Sequence, residues 1–267
     1  MEIAPATRMG PVELTVSDLA RSLEYWQREI GLRVLARENG TASLGGGTEL
    51  VRLVEEPGAR PADGHTGLYH VALLVPDRPS LARWLAHAAR DRVALTGLSD
   101  HYVSEAIYLR DPDHHGIEIY ADRPRELWEG QVSQRMTTEP LDVDGLLSEA
   151  EGEFDGLPDG TVVGHVHLRV SDIEETVRFY RDVLGFGLVA QLGPAAAFLS
   201  AGGYHHHLGA NTWESRGAAP APPGSATLRR FTVVVPDGHE LERVAARLGG
   251  REARDPSGNL VVLAAGI

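Results

Sequence analysis

Alternating apolar and polar residues predict two similar strands in different halves of the chain. In the segment HVALLV, residues 70–75, every second residue is bulky and apolar, and His70 lies on the opposite face. The segment HVHLRV, residues 165–170, has the same period and carries His165 and His167 opposite its apolar face. A period of two residues is typical of a strand with one buried face. Each strand is therefore predicted to have a core face and a face that carries imidazoles.

The chain contains an internal repeat with two types of module. VELTVSDLARSLEYWQREIGLRVL, from Val12, aligns without a gap with VHLRVSDIEETVRFYRDVLGFGLV, from Val166. HVALLVPDRPSLARWL, from His70, aligns with RFTVVVPDGHELERVA, from Arg230. We call the modules A, B, A′ and B′ in chain order. Each spans ~50–60 residues, a size at which a domain buries little core on its own, so the modules are expected to pair.

Each module has the pattern of a strand, a helix and then further strands. In module A′, Ser171 and Asp172 can cap a helix whose apolar residues recur at helical spacing, and Gly185 can end it. Two short strand-like pieces follow, divided by Gly202 and Gly203. The order βαβββ, repeated four times in tandem, predicts an α+β fold.

The repeat divides the chain into two domains and a connector. We expect the first domain at residues 1–122, with modules A and B, and the second at residues 161–267, with modules A′ and B′. Residues 123–160 form the connector. Its content of leucine and tryptophan is too high for a solvated linker, which predicts that it is ordered.

Composition and charge narrow the class of function. The 267 residues are 42% hydrophobic and 24% charged, which is typical of a soluble globular protein. No cysteine is present, so any metal must be held by nitrogen and oxygen, and a reducing cytoplasm is the expected location. A formal charge of −13, with no signal pattern and no long apolar run, disfavours nucleic acid and membranes as partners. A small molecule is the expected partner, and a homo-oligomer is compatible with the sequence.

The stretch from Ser99 to Tyr120 holds the densest candidate chemistry, with His101, Tyr108 and Glu118 around an Asp-Pro turn. In the strand GIEIY, Glu118 lies on the face opposite the two isoleucines. A carboxylate there is unfavourable unless a cation or hydrogen-bond donors meet it. Neutral imidazoles with one carboxylate suit a redox-active divalent metal that keeps open positions. For any single histidine, a hydrogen-bonded structural role is the alternative.

Four βαβββ modules in which VSD is followed by FY and LGF resemble the vicinal oxygen chelate superfamily. Over nearly its whole length the chain is similar to extradiol ring-cleaving dioxygenases of the catechol-2,3-dioxygenase type. Their signature of a histidine, an aliphatic-tyrosine pair, Asp-Pro and a glutamate is present in order at His101, Ile107-Tyr108, Asp111-Pro112 and Glu118. The chain departs from the family at His114-His115, where Gly-Asn is usual in a turn that favours a positive φ. The resemblance implies two vicinal oxygen chelate domains with curved mixed sheets.

The resemblance also implies a metal held by a histidine from the first strand of each of two modules and a glutamate from a last strand. Only modules B and A′ together offer this set, as His70, His165 and Glu118. Modules A and B′ have Pro11 and Arg230 at the first-strand positions and would form a counterpart without a metal. Fe(II) is the expected ion, with Mn(II) as the alternative. Modules B and A′ can pair within one chain or between subunits, and both arrangements stay open.

The activity implied by the resemblance is the opening of a catechol-like or hydroquinone-like ring with O2. A histidine of module A′ would then act as acid and base. Strand parity places His205 and His207 on one face and turns His206 away, and the family pattern favours His207. His101 and Tyr108 would donate hydrogen bonds to bound oxygens, and a core aromatic residue is the alternative for Tyr108.

Two other classes of function stay open. A glyoxalase-like isomerase or thiol transferase would use the same fold with a four-ligand site that usually includes a second carboxylate. A binding protein of the bleomycin-resistance kind would hold an aromatic ligand without a metal. The complete set of His70, His165 and Glu118, together with His101 and Tyr108, argues against this last class.

Overall fold

The computed structural model describes residues 2–266. Its strands are β1 Arg8–Val16, β2 Arg33–Glu38, β3 Thr41–Gly45, β4 Glu49–Glu55, β5 Arg60–Pro61, β6 Gly67–Leu74, β7 Leu95–Asp100, β8 Ser104–Arg110, β9 Gly116–Asp122, β10 Glu139–Pro140, β11 Val162–Arg169, β12 Gly187–Leu192, β13 Ala196–Ser200, β14 Leu208–Asn211, β15 Ser225–Ala226, β16 Leu228–Val235, β17 Glu252–Arg254 and β18 Leu260–Ala265. Its helices are α1 Leu19–Tyr25, α2 Arg78–Asp91, α3 Val132–Arg135, α4 Val143–Leu147, α5 Ile173–Arg178 and α6 Gly238–Leu248. π-helical turns, Trp26–Ile30 and Phe179–Leu184, extend α1 and α5. Among these elements of residues 2–266, no helix has the length and apolar character needed to cross a bilayer.

Two curved, mixed sheets contain most of the strands, which confirms the α+β fold. One sheet has the order β17-β18-β16-β1-β4-β3-β2 and combines modules A and B′. The other has the order β10-β7-β8-β9-β6-β11-β14-β13-β12 and combines modules B and A′ with one strand of the connector. We call them the A–B′ sheet and the B–A′ sheet.

Modules B and A′ pair within one chain, through their first strands. β6 runs antiparallel to β11, with Val71 opposite Val166. In the same way β1 of module A runs antiparallel to β16 of module B′. The expected pairing of B with A′ is therefore confirmed. The domain boundaries at residues 122 and 161 stay a prediction, and each large sheet combines modules from both halves of the chain.

The apolar faces of the two sheets pack into one core. Val71 and Leu73 of β6 and Val166 and Leu168 of β11 are completely buried in it. Burying one such side chain stabilises the fold by roughly 1.5–3 kcal/mol. Because side chains alternate along a strand, this core face leaves the histidines of both strands on the other side of the B–A′ sheet.

An aspartate caps the first helix of every module. The four N-cap residues are Asp18, Asp77, Asp172 and Asp237, and each side chain accepts a hydrogen bond from the backbone N–H three residues later. Loss of such a cap costs about 0.5–2 kcal/mol. The helical turn after α5 ends at Gly185, whose φ is 94°. Both the cap and the stop of module A′ are as predicted.

The connector is ordered, as expected, and crosses the B–A′ sheet. Its strand β10 pairs with β7 at one edge of the sheet. Its helix α3 contacts β12 at the opposite edge. Before α3, Trp128 of the connector is buried and donates a hydrogen bond of 2.9 Å from Nε1 to the carbonyl oxygen of Arg123. The connector can therefore wall off the face of the sheet that carries the histidines.

We expect Gly116→Ala to lower the free energy of unfolding by about 2 kcal/mol, because a Cβ at this position has no space. It would lie 1.9 Å from the carbonyl oxygen of Tyr69 and 3.1 Å from Cβ of His70. Urea denaturation measures the change. Gly238→Ala is the control, since nothing lies within 4 Å of a Cβ there, and its effect should stay within about 0.5 kcal/mol. Equal effects of the two substitutions would contradict this packing.

Candidate metal centre

Three donor atoms from three strands meet on the B–A′ sheet. Glu118 Oε2 lies 2.9 Å from His70 Nε2 and 3.1 Å from His165 Nε2. The two imidazole nitrogens are 3.2 Å apart. All three side chains are buried. In the part of the chain that the structure describes, these three residues are the group whose ligand atoms lie close enough together to hold a metal.

The separations between the three atoms fit a single metal ion. Two ligands on adjacent octahedral positions, each about 2.1 Å from the metal, are about 3.0 Å apart. All three pairs of atoms have nearly this separation, so they match one face of an octahedron. Two imidazoles and a carboxylate on one face, with the opposite face open, are typical of non-haem iron sites.

The register of three strands produces this convergence. β6 lies between β9, which is parallel to it, and β11, which is antiparallel. Glu118 and His165 both lie opposite Ala72 of β6. The methyl group of Ala72 is small enough to leave the space above it free. His70, two residues earlier on the same face, then completes the set.

Burial and the interaction of Glu118 with the two imidazoles determine the protonation states of the metal-binding side chains. Burial acts to raise the pKa of Glu118, but the imidazoles of His165 and His70 outweigh it and hold the pKa well below its usual range. Burial lowers the pKa of His165 to about 4, against the opposing effect of Glu118. At neutral pH the site therefore presents a carboxylate and a neutral His165. These are the forms that bind a divalent cation.

The three ligand residues line a cavity of about 700 Å³. Apolar side chains form much of its wall, among them Val132 and Met136 of the connector, Leu192 of β12 and Phe198 of β13. A cavity of this size with mostly apolar walls can enclose a substituted aromatic ring.

His101 and Tyr108 lie in this cavity and contact each other. His101 Nε2 is 2.7 Å from the Tyr108 hydroxyl, and its Nδ1 is 2.7 Å from the carbonyl oxygen of Thr137. A carbonyl only accepts, so Nδ1 carries the hydrogen, and in neutral His101 the Nε2 atom accepts from Tyr108. Burial, with the charge of Glu118, raises the pKa of the Tyr108 hydroxyl well above its ordinary value. Tyr108 therefore stays protonated and can donate its hydrogen to a neutral His101.

Strand parity predicted that His205 and His207 face the site and that His206 points away, and this orientation is wrong. His206 lines the cavity, with its ring centroid 4.1 Å from that of His165, whereas His207 does not line it. Nδ1 of His207 instead accepts a hydrogen bond of 3.1 Å from the backbone N–H of Ala201. Burial lowers the pKa of His207 to about 3. His207 therefore holds the preceding turn.

Strand parity failed here because these histidines precede β14, which begins at Leu208. The turn before them contains two glycines in the left-handed region, Gly202 with φ 59° and Gly203 with φ 70°. Residues that follow such a turn do not alternate across a sheet. The glycine pair next to the histidines was the signal in the sequence that parity could not be applied.

His167 also lies in the cavity, one alternation beyond His165 on β11. Its ring is 4.9 Å from that of His70, and its Nε2 is buried without a hydrogen-bond partner among the described residues. Burial lowers its pKa well below the ordinary value. Opposite it on β14 is Gly209, where a Cβ would lie 2.7 Å from the His167 ring. His167 is thus a neutral, closely packed wall of the cavity.

Charges at the rim of the cavity balance each other. Arg110, which lines the cavity, lies 3.5 Å from Asp63 and 3.9 Å from Glu214. Arg169 lies 3.6 Å from Glu214 and 3.9 Å from Asp63. Two guanidinium groups therefore share two carboxylates.

The A–B′ sheet has an internal ion pair at the equivalent place. Arg230, the counterpart of His70, lies opposite Glu13, and its guanidinium is 2.7 Å from the Glu13 carboxylate. Arg229 adds a second contact to Glu13 at 3.0 Å. A side-chain cation thus meets the carboxylate of this sheet.

Comparison with known proteins places these features in a family. The family model described as the Glyoxalase/Bleomycin resistance protein/Dioxygenase superfamily matches residues 8–119 and 162–254. The chain is 46% identical over 250 residues to a catechol-2,3-dioxygenase of Bacillus subtilis, which covers 91% of this chain and 87% of that protein.

Solved structures share the fold at low sequence identity. Glyoxalase I from Zea mays has a TM-score of 0.57 at 19% identity, over 97% of this chain and 92% of the other. The cppA protein from Streptococcus pneumoniae has a TM-score of 0.58 at 14% identity, over 99% of each chain. At these identities the likeness concerns the fold alone.

Proposed function

We propose that this chain, which belongs to the glyoxalase, bleomycin resistance protein and dioxygenase superfamily and is an enzyme of its ring-cleaving dioxygenase branch, opens catechol-like aromatic diols with O2. The ring bond that breaks lies beside the two hydroxyl groups. The main observation behind the proposal is that His70, His165 and Glu118 offer three ligand atoms on one face of a possible metal site, in a largely apolar cavity. The name of the 46% identical relative supports the choice of a catechol.

We assign the metal as Fe(II), with Mn(II) as the alternative. His70 and His165 would hold it as imidazoles and Glu118 as a carboxylate, leaving the cavity side of the site for the substrate. When bound, the ion supplies a Lewis acid that lowers the pKa of a diol hydroxyl and a redox centre for O2. The apolar wall keeps bulk water away from the reacting ring.

We propose His206, in place of His207, as the acid–base residue. His206 lies beside His165 and lines the cavity, so that a ring nitrogen can reach a hydroxyl of the diol. Burial lowers the pKa of His206 well below its ordinary value, so the imidazole is neutral before substrate binds. It takes the hydroxyl proton and later returns it to the opened product.

Tyr108 and His101 would orient the diol. With a neutral His101, the Tyr108 hydroxyl donates to His101 Nε2, and its oxygen then offers a lone pair to a substrate hydroxyl that still carries its proton. This differs from the donating role expected from the family signature. The link from His101 to the carbonyl oxygen of Thr137 ties this orientation to the connector.

We expect one Fe or Mn per chain in protein purified without chelator. His70→Ala and Glu118→Ala should lose it, because each removes one of three ligands. Elemental analysis with protein quantitation measures the stoichiometry. His167→Ala, which removes a cavity imidazole outside the set, is the matched control and should keep the metal. Full occupancy in Glu118→Ala, or two metals per wild-type chain, would contradict the assignment.

Fe(II)-loaded protein, prepared without oxygen and then given catechols in air, should consume O2 in step with the diol and form a coloured ring-opened product. His206→Ala should keep the metal and lose kcat by about 10²- to 10⁴-fold, the usual contribution of a positioned acid or base. His207→Ala should lose stability but keep kcat within a few-fold.

If His207→Ala lost kcat and His206→Ala kept it, the acid–base role would belong to His207. Iron-loaded wild type that takes up no oxygen with any catechol or hydroquinone would favour a glyoxalase-like isomerase.

We expect neutral alkylcatechols to have a higher kcat/KM than carboxylated catechols of similar size. Asp63 and Glu214 already pair with Arg110 and Arg169, so among residues 2–266 both guanidinium groups beside the cavity have carboxylate partners. Asp63→Asn should improve kcat/KM for 3,4-dihydroxybenzoate by about 5-fold relative to 4-ethylcatechol, the effect of ~1 kcal/mol of charge interaction. A wild-type preference for the carboxylated substrate would contradict this.

A further inference from the structure

A chain of three polar side chains runs from the cavity to Asp122, the last residue of β9. Asp122 Oδ1 lies 2.8 Å from His205 Nε2, and His205 Nδ1 lies 2.8 Å from His206 Nδ1. His205 is completely buried, whereas the Asp122 side chain is 25% exposed. Asp122 is on the same strand and the same face as Glu118, four residues further along β9.

The hydrogen-bonding capacity of each group fixes the positions of the ring hydrogens. A carboxylate only accepts, so His205 Nε2 carries a hydrogen. One hydrogen lies between the two facing Nδ1 atoms, and when the His205 ring is neutral its own Nδ1 is the acceptor. The facing Nδ1 of His206 must therefore donate. This leaves His206 Nε2 without a hydrogen, and no residue between 2 and 266 forms a hydrogen bond with it.

We propose that Asp122 and His205 are positioning residues that hold His206 in the tautomer with a bare Nε2 facing the cavity. The inference rests on the proposed function of His206 as a base. In the step it serves, an O–H bond of the diol breaks and an N–H bond forms at His206 Nε2. The positive charge then lies on His206, next to a neutral imidazole that is itself hydrogen-bonded to the Asp122 carboxylate.

Two tyrosines pack beside this chain at Asp122 and His205. The Tyr204 ring packs against His205 with centroids 4.0 Å apart, and its hydroxyl donates to Asp122 Oδ1 at 3.3 Å. The Tyr120 hydroxyl, 2.8 Å from that of Tyr204, fills the space beside Gly164, where a Cβ would lie 1.9 Å from it. Tyr204 therefore contacts the same carboxylate oxygen as His205 but is not part of the path to His206.

The tautomers can be measured in the metal-free protein, without turnover. In ¹⁵N-labelled wild type, long-range ¹H–¹⁵N spectra should show His205 protonated at Nε2 and His206 protonated at Nδ1. In Asp122→Asn the amide can donate as well as accept, so the His206 signal should shift towards protonation at Nε2. Tyr204→Phe, the matched control, keeps the ring and the contact of Asp122 with His205, and should keep the wild-type tautomers.

Kinetics of the iron-loaded variants give the second readout. Asp122→Asn should lower kcat by about 10- to 100-fold, with KM and metal content within 2-fold of wild type. Tyr204→Phe should keep kcat. Asp122→Glu, which restores an acceptor-only group, should recover part of the loss.

Several outcomes would overturn the inference. One is a wild-type His206 protonated at Nε2, and another is an Asp122→Asn protein with altered stability but unchanged tautomer and kcat. An inactive wild type with the expected tautomers would refute the proposed reaction and leave the positioning by Asp122 and His205 standing.

Discussion

The structure depends on the burial of one carboxylate between two imidazoles that come from opposite halves of the chain. Removing a carboxylate from water costs several kcal/mol unless partners compensate it. Glu118 is 2% exposed, and His70 and His165 meet the same oxygen at 2.9 and 3.1 Å. This interaction requires β6, β9 and β11 to be neighbours in a fixed register. The pairing of modules B and A′ supplies this register.

The two sheets share an architecture and differ in how they treat a carboxylate. In the A–B′ sheet Glu13 is met by Arg230 and Arg229, so the charge is balanced by the protein itself. In the B–A′ sheet two imidazoles meet Glu118, and an imidazole balances the charge only when protonated. Burial opposes protonation of His165. A divalent cation resolves this conflict, which is the physical reason to expect a metal in one sheet and an internal ion pair in the other.

Much of this arrangement could be predicted from the sequence, because local rules govern it. The alternation in HVALLV and HVHLRV predicted the faces of β6 and β11, and Ser171-Asp172 predicted the cap of the helix in module A′. The module pairing was predicted in another way, by applying the ligand pattern of the family that the chain resembles to the four repeats. The position of His206 could not be predicted, because two left-handed glycines turn the chain before β14 and break the alternation. Arg110 at the end of β8 contacts Asp63 and Glu214 in turns that are distant in sequence, and no local pattern specifies such contacts.

Anomalous diffraction at the iron edge, from crystals of Fe(II)-loaded protein grown without oxygen, tests the central claim most directly. We expect one anomalous peak per chain, about 2.1 Å from Nε2 of His70, Nε2 of His165 and an oxygen of Glu118. A peak held by other residues, or a second peak of equal height on the A–B′ sheet, would contradict a metal centre built by pairing modules B and A′.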